Sequence, residues 1–377
     1  MADADPPAVA EAHRYPCDEC GADLRFAPGQ TSLRCDHCGH LQDIPADDQP
    51  ATRHKALGEL EYQRAIRAAL PDDAMEEVRV TSCPNCGAQV QFDGATHARQ
   101  CPFCATPVVS DTGTHRHIKP QALVPFKLEM EAARDAMSAW LGRLWFAPNG
   151  LKDYARKGRA LDGLYVPYWT YDAASKSRYT GQRGEHYYET RTVTVNVNGR
   201  SERRQEQVQK TRWYPASGTV ARQFDDVLAM ASNSLPQTYA DGLEPWDLSA
   251  LTAYRPNYLA GFGAEGYSVG LEDGHAIART KMDRVIEGDV RRDIGGDVQQ
   301  ISTVDTALSA ETFKHVLLPV WMAAYKYRGR SFRFIVNGQT GKVQGERPWS
   351  AWKIAFAVVL GLIAAGAAAY VYSLQQR

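Results

Sequence analysis

Cys17-Asp18-Glu19-Cys20-Gly21-Ala22-Asp23-Leu24-Arg25-Phe26 opens a stretch that closes on Cys35-Asp36-His37-Cys38. The arrangement returns 66 residues later as Cys83-Pro84-Asn85-Cys86-Gly87-Ala88-Gln89-Val90-Gln91-Phe92, closing on Cys101-Pro102-Phe103-Cys104. Each unit holds two CxxC turns with 14 residues between them, and the two units superimpose without a gap. Gly21 then falls on Gly87, Ala22 on Ala88, Leu24 on Val90 and Phe26 on Phe92. The chain has 8 cysteines and this repeat uses all of them.

Two residues between cysteines let a tight turn aim both sulfurs at one ion, with a glycine completing the turn. The excursion between turns is long enough for a short hairpin that brings the second pair back. Four thiolates close a tetrahedral site and leave no position for water or substrate, so each site is expected to be structural. A unit of about thirty residues buries too little core to fold alone, and a bound metal supplies what is missing. The spacing therefore predicts two zinc ribbons and two zinc ions, held by Cys17, Cys20, Cys35 and Cys38 and by Cys83, Cys86, Cys101 and Cys104. Disulfides in place of metal would call for a secreted chain, and Met1-Ala2-Asp3-Ala4-Asp5-Pro6-Pro7 lacks the basic and apolar regions of a secretory signal. Iron is the other occupant that four thiolates accept. His37 and His40 flank the first site and read as exposed loop residues.

The other end of the chain has a different character. Residues 354–374 form a run of 21 without a charge, which as a helix measures about 31 Å, the thickness of a bilayer's hydrocarbon core. Trp349 and Trp352 precede the run, Tyr370 and Tyr372 close it, and Lys353 and Arg377 bracket it, as in a membrane span with an aromatic belt. Lys342, Arg347 and Lys353 on one side against Arg377 on the other predict a cell-membrane protein with a single span and its bulk on the cytoplasmic side. That side also keeps thiolates reduced. Gly361 and Ala365 stand one small-xxx-small step apart, which admits helix pairing and a homo-oligomer.

Between these ends the pattern is α+β. Residues 1–12 read as a disordered lead, 13–45 as ribbon 1, 46–78 as a helical linker, 79–112 as ribbon 2, 113–348 as an α+β domain and 349–377 as the anchor. Helices are expected over 52–70 (ended by Pro71), 127–143 and 267–290. Residues 187–198 and 203–214 read as a long basic hairpin around Asn198-Gly199, carrying Arg200, Arg203, Arg204, Lys210 and Arg212. Charge that defends a sheet edge explains it, and a contact for anionic lipid or an acidic partner is the alternative. Leu164-Tyr165-Val166-Pro167-Tyr168-Trp169-Thr170-Tyr171 echoes Val316-Leu317-Leu318-Pro319-Val320-Trp321-Met322-Ala323 at an offset of 152, pointing to a degenerate internal duplication.

Two glycine patterns are not read as nucleotide sites. Gly261, Gly263 and Gly266 spell GxGxxG, but Pro256 and Asn257 spoil the strand that a dinucleotide fold needs before them. Gly338-Gln339-Thr340-Gly341-Lys342 has Val336 and Val343 where a phosphate-binding loop needs Gly and Ser or Thr. His115 and His117 join no cluster with metal spacing. No active site, and no enzyme, is expected.

The CxxC units resemble a family of bacterial zinc-ribbon membrane proteins. So do Val124-Pro125-Phe126, Val166-Pro167-Tyr168-Trp169 and the stretch from Leu318-Pro319-Val320-Trp321 through Asn337-Gly338-Gln339-Thr340-Gly341-Lys342-Val343 to Glu346-Arg347-Pro348. Its members are called TFIIB-type zinc-ribbon proteins, or carry labels borrowed from primosomal protein N-prime or a superfamily II helicase. The resemblance implies association with flotillin-like and phage-shock-like membrane proteins. Three functions follow as expectations: a membrane-anchored adaptor or scaffold recruiting partner proteins, a nucleic-acid-binding, replication-linked protein, or a membrane enzyme with an unrecognised site. The whole-chain net charge is −1, the ribbon half is acidic, and each four-thiolate zinc site adds about −2. That balance opposes phosphate binding and favours the adaptor over a nucleic-acid partner.

Overall fold

A computed structural model describes residues 15–45, 58–67, 70, 74–78, 80–91, 98–103, 106–109, 115–145, 161–197, 200–327, 330–346 and 350–375. In the first ribbon, β1 (Leu24–Phe26), β2 (Ser32–Cys35) and β3 (Leu41–Asp43) form an antiparallel sheet in chain order. Next come β4 (Leu60–Glu61), α1 (Tyr62–Arg67) and β5 (Met75–Val78). The second ribbon contributes two hairpins, β6 (Val80–Ser82) with β7 (Gln89–Gln91) and β8 (Ala98–Gln100) with β9 (Pro107–Val109). The strand β10 (His115–Ile118) then pairs with β5, and β11 (Ala122–Leu123) leads to α2 (Met130–Arg143).

Three long strands organise the rest: β12 (Asp162–Val197) pairs antiparallel with β13 (Arg200–Met230). After them come α3 (Gln237–Leu243), β14 (Thr252–Ala253), β15 (Gly263–Gly266) and α4 (Leu271–Ile294). The third long strand, β16 (Val298–Tyr327), pairs antiparallel with the other side of β12. The chain closes with β17 (Arg330–Asn337), β18 (Val343–Gly345) and the helix α5 (Ala351–Gln375). The three long strands have 36, 31 and 30 residues, where about five or six is usual. At about 3.3 Å per residue β12 alone runs roughly 120 Å. Its near half is the centre of an 11-stranded sheet, and its far half leaves the body as an arm.

Alternation along β12 assigns the two faces of the sheet. Tyr165, Trp169 and Tyr171 turn to the side covered by ribbon 1, α2 and α4. Leu164, Val166 and Tyr168 turn to the side covered by ribbon 2 and α3. On α4 every fourth residue is buried: Gly274, Ala278, Met282, Ile286, Val290 and Ile294. This single stripe lays the helix along the arm. Gly274 is required there, because a Cβ would stand 2.4 Å from Cδ1 of Trp169. Arg222 grips Asp289 of α4 through two hydrogen bonds of 2.5 and 2.7 Å, and the Tyr179 hydroxyl donates to Asp293 at 2.6 Å. At Asp172 the ladders to both neighbours shift register, and Asp226 and Ala310 take positive φ values of 52° and 51° on either side. These paired bulges mark where the arm departs from the body.

The two echoing segments meet. Val166 faces Leu318, Tyr165 faces Pro319 and Pro167 faces Leu317, so the two prolines, each without an N–H to donate, stand symmetrically one pair from Val166–Leu318 in a continuous ladder. Each echo tryptophan also anchors a helix start: Trp169 Nε1–H donates to the Val269 carbonyl ahead of α4, and Trp321 Nε1–H to the Leu128 carbonyl ahead of α2, both at 2.9 Å.

Several expectations change at this level. Among the described residues of the expected 52–70 helix, α1 covers Tyr62–Arg67 and does not run back through Leu60 and Glu61, which extend and pair with Phe313 and Thr312 at the sheet edge. The basic hairpin is the tip of the much longer β12–β13 pair, and β12 continues through Gly181 and Gly184, its ladder with β16 shifting register between Thr180 and Gly181. The ribbons are also fused to the body. Phe26 packs against Tyr258 and Phe262, and β7 pairs with β15 through Val90 opposite Glu265. Residues 1–12, Pro71, Phe92, Cys104, Asn198, Gly199, Arg347, Pro348, Trp349 and Arg377 lie outside the described residues.

Among the described residues one helix is long and apolar enough to cross a membrane. Trp352–Leu374 has 23 residues, a mean hydropathy of 2.4 and no buried part. Phe356, Leu362 and Ile363 stand exposed on it, an arrangement that water penalises and lipid accepts.

Candidate metal centres and a buried polar seam

The first cysteine cluster is built by two identical turns. The Gly21 N–H donates to the Cys17 carbonyl at 2.8 Å and the Gly39 N–H to the Cys35 carbonyl at 2.9 Å. Both glycines sit at positive φ, 74° and 77°, where a side chain would strain the turn. The turns bring Cys17, Cys20, Cys35 and Cys38 together with all four sulfurs within 4.8 Å of one another. Cys17 Sγ lies 3.6 Å from Cys38 Sγ, and Cys20 Sγ lies 3.5 Å from Cys35 Sγ. A tetrahedral ion with bonds of about 2.3 Å needs sulfurs about 3.8 Å apart, so the cluster fits such an ion with little adjustment. Cys17 and Cys35 are buried while Cys20 and Cys38 face outward. The backbone N–H of Cys38 is directed at the Cys35 sulfur and draws that thiol down to about 6, toward the thiolate that a metal binds.

The second cluster repeats the design. Gly87 has φ 74° and its N–H donates to the Cys83 carbonyl at 2.9 Å. Cys83, Cys86 and Cys101 converge, with Cys86 Sγ 3.6 Å from Cys101 Sγ. None of the seven described cysteines forms a disulfide. His37 and His40 are not among the converging ligands.

Between ribbon 2 and the body lies a seam of buried polar groups that the sequence did not disclose. Glu265, inside the rejected GxGxxG stretch, is 3% exposed. Ser232 donates to its Oε1 at 2.6 Å and Ser234 to its Oε2 at 3.1 Å. Burial pushes its carboxyl up to about 8, against the pull of the serine hydroxyls and the Gln89 N–H. A cavity of about 30 Å³ opens beside it, lined by Glu76, His117, Tyr254, Tyr267 and His315. Burial raises Glu76 to about 7 and lowers His315 to about 4. His315 Nδ1 lies 2.7 Å from the Ile118 carbonyl. Its Nε2 is buried without a partner. The cavity has room for about one or two water molecules. Glu76 and His117 face one another across the β5–β10 ladder, which brings His117 into a polar setting despite its isolation in sequence.

A third acidic group, Asp172, Asp225 and Asp226, is close enough to share a cation. It already holds one: Lys314 Nζ sits 2.9 Å from Asp226 and 3.1 Å from Glu59. No dinucleotide site forms at Gly261, Gly263 and Gly266, because residues 263–266 are themselves a sheet strand. The Gly338–Gly341 turn closes onto Asn337, whose Oδ1 accepts from the N–H groups of Gln339 and Thr340.

No known protein family's model matches the chain, and no solved structure matches it. The chain is similar to "Uncharacterized protein YdjG" of Bacillus subtilis (strain 168), with 26% identity over 347 residues, covering 90% of this chain and 92% of that protein.

Proposed function

We propose that the chain is a membrane-anchored adaptor whose two zinc ribbons stiffen a cytoplasmic body that recruits partner proteins. The observation that carries this reading is the joining of two cysteine clusters and one exposed apolar helix to the same sheet-centred body. Four-thiolate sites are coordinatively closed, so zinc in them holds shape and does not activate water. The metal in both clusters is zinc on this reading, Cys104 completes the second, and α5 is a tail anchor with the bulk of the chain inside.

Because both ribbons are welded to the body, the recruiting surface is composite. A groove of about 540 Å³ runs along Asn85 and Cys86 of ribbon 2 and Asn233, Ser234, Leu235, Gln237 and Arg333 of the body. Its lining is polar and suits a peptide-like partner. Flotillin-like or phage-shock-like membrane proteins are the partners that the family resemblance favours. The matching tryptophan anchors support an ancient duplication within the α+β domain.

The test is a pull-down from membrane extract with and without nuclease, alongside DNA binding and ATP hydrolysis by the full chain in detergent. The adaptor reading expects protein capture that survives nuclease, no submicromolar DNA affinity at about 0.15 M salt, and no ATP turnover. Tight, salt-steep DNA binding would transfer the function to the replication-linked alternative.

A further inference from the structure

β16 begins at Val298, opposite Gly184. Beyond that point β12 and β13 continue together as a two-stranded ribbon to Val197 and Arg200. Among the described residues no third strand pairs with this part. Two strands alone are marginal in water, and an open edge offers a row of backbone donors and acceptors to another strand. The two edges of the ribbon differ in charge. Over 203–212 the β13 edge carries Arg203, Arg204, Lys210 and Arg212 against Glu206, a cationic guard that repels a second copy of itself. Over 185–194 the β12 edge carries Glu185 and Glu189 against Arg191 and is otherwise neutral.

We propose that this edge of β12 pairs antiparallel with the same edge of a second copy of the chain, about a two-fold axis at Thr190. The register places Glu189 opposite the partner's Arg191, and the two-fold axis makes that pairing twice. It also sets Tyr187 opposite the partner's Val193 and Tyr188 opposite the partner's Thr192. Glu189 and Arg191 lie on one face of the strand, 3.9 Å apart within the chain, and Glu189 also meets Lys210 of β13. Tyr188 is 65% exposed and gains a neighbour across the new ladder. Isologous pairing of this kind closes at two copies, with no open edge of β12 left over for further growth. This contact is independent of the Gly361 and Ala365 spacing in α5.

The experiment uses two differently tagged full-length chains, expressed together and purified in detergent. Wild-type copies are expected to capture one another. Glu189→Arg leaves two arginines on the edge, and Arg191→Glu leaves two glutamates. Each alone is expected to weaken self-capture by about tenfold, the effect of reversing two cross-strand charge pairs. Mixing the E189R chain with the R191E chain restores complementarity, as does the double variant E189R/R191E with itself. Rescue in the mixture cannot come from a misfolded arm, so it separates loss of pairing from loss of structure. Wild-type chains that do not associate would overturn the proposal. Association indifferent to all three variants would overturn it equally, by placing the contact elsewhere.

Discussion

Trp169 and Trp321 make the same hydrogen bond at two places on one sheet: each indole N–H reaches the carbonyl two residues ahead of a helix, at 2.9 Å. Both side chains are buried, so neither leaves its polar atom to water. Trp169→Phe and Trp321→Phe should each destabilise the chain by about 1–3 kcal/mol, since the abandoned carbonyl and the lost indole volume both count. Chemical denaturation followed by circular dichroism checks this. Unequal losses, with one variant near zero, would show that the two anchors are not equivalent.

Gly274 is a close-contact position on α4. Gly274→Ala raises helix propensity by about 1 kcal/mol in an open helix. Here the new Cβ meets Trp169 at 2.4 Å and the Tyr171 hydroxyl oxygen at 2.8 Å, so a net loss of about 1–3 kcal/mol is expected. Gly288, on the same helix with open space around it, serves as the control, and Gly288→Ala should be neutral or stabilising. Paired thermal melts decide between the two effects.

The buried carboxyls make stability depend on pH in a definite direction. Glu265 titrates at 4.5 when unfolded and about 8 when folded. Between those values the folded chain keeps a proton that the unfolded chain releases, so stability falls as pH rises. His315 works oppositely, because its folded value of about 4 lies below the unfolded 6.5. Its effect is confined below 6.5. Cys35, drawn down from 9.0 to about 6, favours stability as pH rises through the same window, so the acid is read from the difference between wild type and variant. From pH 6.5 to 8 Glu265 should subtract up to about 1.4 kcal/mol per unit. Glu265→Gln should remove that contribution. A pH series of denaturation curves on the full chain in detergent reads it directly, and an unchanged slope in the variant would refute the assignment.

Metal content gives the fourth expectation. Native mass spectrometry of the purified chain should find two zinc ions, and Cys83→Ser should leave one. Cys17→Ser should cost more than one ion, because Leu24, Phe26, Leu33 and Cys35 of ribbon 1 belong to the same core as Tyr165, Leu317 and Trp321. Its thermal transition should broaden or fall along with the lost metal.

Deleting residues 349–377 should release the chain from membranes after a high-salt wash. Continued sedimentation with the membrane fraction would mean that another surface binds lipid.

The convergence of the described cysteines was readable because CxxC turns record a local spacing, and spacing is what a sequence carries. The same holds for α2 and α4, where the 3.6-residue period survives in Met137 and Leu141 or in Met282, Ile286 and Val290. The arm was only partly legible. Its strands carry glycines, prolines and charges, and what keeps them extended is non-local pairing such as Ser177 beside Val220 on one side and Thr306 on the other. The buried seam was not legible, for a similar reason. Glu76, Glu265 and His315 lie far apart in the chain, and each alone looks like an ordinary surface residue. Pairing of β7 with β15 covers Glu265, and the β5–β10 ladder sets Glu76 beside the cavity that His315 lines. One signal was available in hindsight: an acid flanked by Ala264 and Gly266 in a glycine-rich strand has little local reason to be solvated.

The three long strands also have a mechanical consequence. A force applied at the far end of β12 runs along the strand, and a ladder resists such a pull by shearing many hydrogen bonds together. One-residue slippage would invert every side chain on the strand, including Tyr165, Trp169 and Tyr171 in the body. The arm therefore acts as a stiff rod whose root lies in the 11-stranded sheet, into which β6 and β7 of ribbon 2 are paired. A load on the tip reaches the Cys83 turn through that shared ladder, while ribbon 1, on its own three-stranded sheet, feels it only through side-chain packing.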